Sequence, residues 1–167
     1  VKAFDWKKRN EIFFYDVGRV FPGIIPPSVS EYDENGSTAY IQHDLQAARE
    51  LLRANDWNED TLPTLEYGFP NSVSERQTFE QFRSFMMDAG YPAAKIRPLI
   101  FATYGDYQRA YSQRKVTLIH TSWTMDYPDA ENLMQLYYGP NASPGPNSAN
   151  YNNARYNQLY EAGASLG

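Results

Sequence analysis

The stretch Trp123-Thr124-Met125-Asp126-Tyr127-Pro128-Asp129 concentrates more chemistry than any other part of the chain. A carboxylate flanked by aromatic rings suits a ligand ammonium group. The charge attracts it, while the rings exclude water and add a cation–π contribution. The same acids admit other readings. Asp126 could cap a helix beginning near Ala130. Asp126 and Asp129 could be the acid–base pair of a hydrolase, although nothing else in the chain supplies a catalytic frame. Asp126, Asp129 and Glu131 could bind calcium, but their spacing lacks the long loop with a central glycine that calcium loops use. His43 and His120 are far apart in sequence, and no third ligand stands at a matching spacing, so no metal site is expected. His120 lies in an apolar stretch and reads as a hydrogen-bonded core or wall residue. No serine has a nucleophile-elbow context and no glycine-rich phosphate loop is present. The residues therefore assign no catalytic group and call for no cofactor. Asn35-Gly36-Ser37 and Asn141-Ala142-Ser143 match the glycosylation sequon, a motif too short to carry weight.

The elements around this stretch alternate. A first helix is expected over 5–15, ended by Gly18, and an irregular crossing segment rich in Pro and Gly over 20–40. A second helix is expected over 45–54, capped by Asp44 and stopped at Asn55, with Leu45, Ala48, Leu51 and Leu52 at helical spacing. Thr64 to Phe69 alternates like a strand. Ser74-Glu75-Arg76-Gln77 has capping-box spacing and opens a helix whose face is Phe79, Phe82, Phe85, Met86 and Ala89, closed by Gly90. Ile96 to Phe101 is a second strand, in which Pro98 favours an edge or a bulge. A short helix follows over 103–113, then a β-branched third strand over 116–122.

Strand, helix, strand, helix, strand is the pattern of an α/β layer. Ligands bind beyond the carboxyl ends of parallel strands. That rule selects the loops 70–73, 102–105 and 123–129. It brings forward Asn71 in the first and Tyr104 in the second, where an exposed ring is more useful than a buried one. Beyond them a helix is expected over 130–138, a long functional or mobile loop over 139–157, and a last helix from about Ala154.

Composition sets the outer bounds. The chain has 167 residues, of which 42% are hydrophobic and 21% charged, values that belong to a globular domain rather than a disordered segment. The net charge of -5 excludes the basic face that nucleic acid needs. No apolar run approaches the roughly 20 residues that span a bilayer. Cysteine is absent, which removes disulfides, thiolate chemistry and cysteine zinc sites. The 14 tyrosines suit walls that are apolar and hydrogen-bonding at once. Val1 to Trp6 reads as the middle of an amphipathic segment and the far end as a helix cut short, so the chain is expected to be a piece of a longer protein.

Several stretches, taken in order, resemble extracellular solute-binding proteins of family 5, the dipeptide and oligopeptide receptors of ABC importers. Ala3-Phe4-Asp5 resembles the family's Ala-Ile-Asp-Arg stretch, and Gly23-Ile24-Ile25-Pro26-Pro27 its extended segment ending in two prolines. Asp44 to Leu52 is similar to its Ala-x-x-Leu-Leu helix, and Trp123 to Asp129 to its Trp-x-x-Asp-Tyr-x-Asp/Glu motif. Asn150-Tyr151-Asn152-Asn153 with Tyr156 and Leu159 is similar to the closing stretch of that lobe. Ala130, Asn157 and Phe4 depart from the pattern. The resemblance implies an α/β fold, a single lobe of a type II periplasmic-binding-protein clamshell, with a mixed sheet flanked by helices. Residues 1–167 would be most of the second lobe and would bind ligand weakly alone. It further implies that Asp126 pairs with the α-ammonium of a peptide and that Trp123 forms a wall. The backbone at Ser122 to Thr124 would lie along an extended ligand, while Tyr104 and Asn71 line the pocket from neighbouring loops. An oligosaccharide or other small solute is the alternative ligand. The implied partner is a membrane permease, the implied state a monomer, and the implied location the periplasm or, lipid-anchored, the cell exterior.

Overall fold

A computed structural model describes residues 1–36, 38 and 41–165. Ser37 of the first sequon lies outside the described residues. The chain divides into two compact units. The first comprises residues 1–22, 37–108 and 116–120, and the second residues 23–36, 109–115 and 121–167.

The first unit is built on a parallel sheet. Strands β1 (Leu65–Pro70), β2 (Ile96–Phe101) and β3 (Leu118–Ile119) lie in the order β2-β1-β3. β1 pairs with β2 from Leu65↔Ile96 to Pro70↔Phe101, and with β3 at Tyr67↔Leu118 and Gly68↔Ile119. Pro98 is tolerated because β2 has a neighbour on one side only in the described sheet. Gly68 is required by close approach: a Cβ there would stand 2.4 Å from Cγ1 of Val116. β3 is shorter than its β-branched sequence suggests. Its pairing with β1 stops at Ile119, and the next carbonyl, of His120, accepts the Tyr107 hydroxyl at 2.8 Å instead of a strand partner.

Helices α1 (Trp6–Phe14), α2 (Leu45–Ala54) and α3 (Val73–Asp88) belong to this unit, and α4 (Tyr104–Ser112) begins in it. Asp5 caps α1 and Asp44 caps α2, each accepting a backbone N–H at 2.9 Å. α1 ends earlier than Gly18. Tyr15 and Asp16 turn left-handed at φ 48° and 58°, and Gly18 instead meets the Asn10 side chain, which donates to its carbonyl at 3.0 Å. The cap of α3 also differs from the expected one. Ser72, not Ser74, accepts from Glu75 N at 3.2 Å, because the helix starts at Val73 and Ser72 holds extended dihedrals. Gly90 follows the helix at φ 100°, as a left-handed closing residue should. Thr103 and Asp106 cap each other's positions at the start of α4.

Leu62, Tyr67, Phe69, Phe79, Tyr91 and Ile96 form the core, with Leu52, Phe82 and Met86 against it. Phe69 stacks on Phe79 with 5.6 Å between centroids, and Tyr67 meets Phe82 at 4.9 Å. The expected apolar face of α3 is therefore the face that covers the sheet.

The second unit carries α5 (Glu131–Met134) and α6 (Ala154–Ala164). The helix expected over 130–138 is only one turn of α-helix, continued by 3₁₀ turns at 135–137 and 139–141. The loop expected to be functional or mobile is cross-tied by its asparagines. Asn147 is fully buried, donates to the carbonyls of Tyr138 and Tyr151 at 3.0 and 2.8 Å, and accepts from Tyr151 N. Asn150 accepts from Ser143 N and from Arg114, Asn157 from Gly139 N, and Asn153 caps α6. Asn141 donates to the Gln135 carbonyl, so the second sequon's amide has a structural bond.

Candidate functional site

In the first unit, the carboxyl edge of the sheet carries Asn71 after β1, Tyr104 after β2 and His120 after β3. Asn71 N donates to the Phe101 carbonyl at 2.8 Å, tying the first two loops together. The Asn71 side-chain oxygen accepts from Arg76 at 2.8 and 3.2 Å, so only its NH₂ remains to serve a ligand. Tyr104 is exposed, opens α4, and has its ring 6.1 Å from that of Tyr107. His120 is half-buried between α1 and α3. Nη2 of Arg9 lies 3.1 Å from its Nε2, and its Nδ1 lies 3.1 Å from Glu75 Oε2. A guanidinium only donates, so Nε2 must accept, and Nδ1–H therefore donates to Glu75. This bears out a hydrogen-bonded role for His120. The neighbouring Tyr67 is pushed up to about 12, by burial first and by the Glu75 charge second, with Arg9 opposing. His43 pairs with Asp5 at 3.4 Å. A cleft of about 1010 Å³ lies beside α1 and α3, lined by Asp5, Phe13, His43, Gln81 and Phe85 among others; it includes none of Asn71, Tyr104, Ser122, Trp123, Thr124 and Asp126.

The other four singled-out residues, Ser122, Trp123, Thr124 and Asp126, belong to the second unit, and all are exposed. Among the described residues, the backbone N–H and C=O groups of Ser122, Trp123 and Thr124 make no hydrogen bond. The Asp126 carboxylate also has no hydrogen bond or ion pair among the described residues. It is not the helix cap: Ala130 holds that position with no side-chain cap bond, and Asp129 Oδ1 accepts from Glu131 N at 2.8 Å within the turn. Glu131 is engaged too, accepting the hydroxyls of Tyr127 and Tyr160. The described residues contain no group of acids and histidines able to hold a metal ion.

Aromatic side chains back this turn. Trp123 and Tyr127 flank Asp126 with 40% and 45% of their surfaces exposed, enough ring for a ligand to lie against. The Trp123 indole donates to Asn132 Oδ1 at 2.8 Å, and Asp126 N donates to the same oxygen at 3.3 Å. The Tyr127 hydroxyl is pushed up mainly by its bond to Glu131, against a weaker opposing pull from Asn132. Burial, then the Glu131 bond, raises Tyr160 further. Tyr138 stacks on Tyr160 at 4.4 Å and donates to Glu161. Sequence reasoning missed Asn132 and Tyr160, and weighed Glu131 only as a calcium ligand. The available signal was a polar residue inside a short apolar helix directly after the acidic turn.

The fold is that of one lobe of type II periplasmic-binding proteins, and it has solved relatives. HbpA2 from Haemophilus parasuis matches with a TM-score of 0.81 at 17% identity, over 96% of this chain and 31% of that one. A periplasmic oligopeptide-binding protein, OppAIV, from Borrelia burgdorferi matches with a TM-score of 0.73 at 20% identity, over 96% and 31%. The murein tripeptide binding protein MppA of Escherichia coli matches with a TM-score of 0.72 at 14% identity, over 95% and 30%. The chain thus spans about a third of the length of these neighbours. Comparison with curated protein sequences gives no match. The model of the bacterial extracellular solute-binding proteins, family 5 (middle), matches residues 2–145, and the chain belongs to that family.

Proposed function

We propose that this chain is most of one lobe of a two-lobed receptor that binds extended peptides for an ABC importer. The carrying observation is the exposed Asp126 carboxylate, without a partner among the described residues and set between two exposed rings in a turn where Asp129 accepts the Glu131 N–H. Asp126 anchors the peptide α-ammonium and Trp123 walls it. The unpaired backbone of Ser122 to Thr124 adds the ligand as a further strand. Asn71 and Tyr104 stand at the carboxyl edge of the sheet within the first unit. The peptide-binding descriptions of OppAIV and MppA support this choice of ligand. Ligand would favour a closed state that a membrane permease reads. The protein acts in the periplasm or, lipid-anchored, outside the cell, as a monomer without catalysis. No helix among the described residues is long and apolar enough to cross a membrane.

The exposed faces of Trp123 and Tyr127 favour one second reading, an oligosaccharide receptor of the same family. Incubating the intact two-lobed protein with trialanine and with maltotriose separates the readings. Calorimetric binding of trialanine, with both compounds recovered intact by mass spectrometry, is the expected result. Binding of maltotriose alone would transfer the site to sugars, and turnover of either compound would overturn the receptor reading.

A further inference from the structure

Asn132 has no exposed surface, yet among the described residues its Nδ2 makes no hydrogen bond within normal length, although the amide pulls weakly on the Tyr127 hydroxyl. A buried donor without a partner is a net cost to folding. An apolar residue of similar volume would avoid that cost but would leave two N–H donors of the turn without their acceptor. That acceptor is Oδ1, which receives the Trp123 indole N–H at 2.8 Å and the Asp126 backbone N–H at 3.3 Å. Both partners are obligate donors, so the amide orientation is fixed by chemistry: the oxygen must face them. One carbonyl oxygen has two lone pairs, and here each holds one side of the turn.

The consequence is geometric. Trp123 is the ring and Asp126 the charge of the proposed anchor, and a single atom ties the two. The ring cannot swing away from the carboxylate without breaking its bond to Asn132. The Asp126 backbone cannot drift without breaking the other. Asn132 is itself fixed from behind. Its own N–H donates to the Asp129 carbonyl at 3.1 Å, and the preceding residue, Glu131, is clamped by the hydroxyls of Tyr127 and of Tyr160 on α6. An anchor that is ordered before the ligand arrives spares the ligand the entropy of ordering it.

We propose that Asn132 is a positioning residue for the peptide site, holding the Trp123 ring and the Asp126 backbone in one fixed arrangement through its Oδ1. The proposal rests on the peptide-receptor reading for its effect on affinity, but not for its effect on the turn. Its test is made in the intact two-lobed protein. The Trp123 indole and Asp126 amide resonances are read by ¹H–¹⁵N NMR, and trialanine affinity by calorimetry. In Asn132→Leu both resonances are expected to move in the absence of ligand, and the Kd to rise about tenfold or more. In Trp123→Phe, which lacks the indole N–H, adding Asn132→Leu should cost much less than it does in the wild type. Asn132→Ala, which removes the acceptor without adding bulk or charge, should move the same two resonances and serves as the reporter if the leucine variant does not fold. Unmoved resonances in the folded variant, or independent effects of the Asn132 and Trp123 substitutions, would each overturn the proposal. A wild-type protein that does not bind trialanine would overturn the peptide reading instead, and the resonances would then decide the role of Asn132 alone.

Discussion

Replacing Asp126 with Asn removes a charge and keeps the shape of the side chain. Because the carboxylate has no hydrogen bond or counter-ion among the described residues, no group of the protein is left stranded by the change. The loss therefore falls on the ligand. A unit pair at 4 Å is worth about 1 kcal/mol in bulk water and about 4 kcal/mol at an effective dielectric constant of 20. Asp126 is exposed in this lobe, which sets the lower bound, and the aromatic flank of Trp123 and Tyr127 raises the value as ligand displaces water. Those bounds correspond to a Kd increase between about 5-fold and about 1000-fold. At least about tenfold is expected, in keeping with truncation of a desolvated charge pair. The assay is a cycle: trialanine and N-acetyl-trialanine, each titrated into the intact wild-type protein and into Asp126→Asn. Acetylation removes the ammonium, so in the wild type it should cost about as much as the substitution does. In the variant it should cost little more. If acetylation weakens binding equally in both proteins, the ammonium has another partner and the assignment of Asp126 fails.

Gly68→Ala should destabilise the protein by about 1–3 kcal/mol, as overpacking does, because the new Cβ would meet Val116 Cγ1 at 2.4 Å; urea denaturation reads this as a lower midpoint. Ser72→Ala should cost about 1 kcal/mol and Ser74→Ala almost nothing, since Ser72 alone accepts the N–H of Glu75; the opposite order would return the cap to Ser74. Tyr67, held at about 12 against its ordinary 10.0, keeps its proton in the folded state where the unfolded chain has already lost it. Stability from this group is complete below pH 10 and is lost as the pH rises towards 12, by roughly 2–3 kcal/mol in total. Denaturation midpoints for Tyr67→Phe should therefore fall less steeply across that window than those of the wild type.

Much of the architecture could be read from the chain because its signals are local. The N-cap Asp44, the turn at Gly90 and the apolar positions Phe79 and Phe82 each depend on neighbours within a few residues, and each appears in the structure. Where reading failed, the deciding feature was a distant partner or a backbone conformation that residue type does not reveal. β3 ends early because the Tyr107 hydroxyl, from another element, takes the His120 carbonyl. α1 stops before Gly18 because Tyr15 and Asp16 adopt left-handed dihedrals that their side chains do not advertise. The run of asparagines at 141–157 looked like a loop without order, since composition does not reveal that Asn147 has three backbone partners.

The candidate site divides along the same line. That Asp126 sits in a turn beside two rings follows from adjacent residues and was legible. Which acid is free and which is engaged was not. Asp126 and Asp129 are the same residue type near the same helix, and the choice between them depends on where α5 begins. It begins at Glu131, whose N–H the Asp129 carboxylate accepts within the turn and the Asp126 carboxylate does not. Displacing that start by one turn would exchange the two roles. The availability of the Asp126 charge thus depends on the features that hold α5 in place: the Asn132 amide buried beneath the turn and the Tyr160 hydroxyl closing on Glu131 from α6. Substitutions at Tyr160, distant in sequence from the acidic turn, should then reach the anchor through Glu131, even though the ring has no part in contacting the ligand.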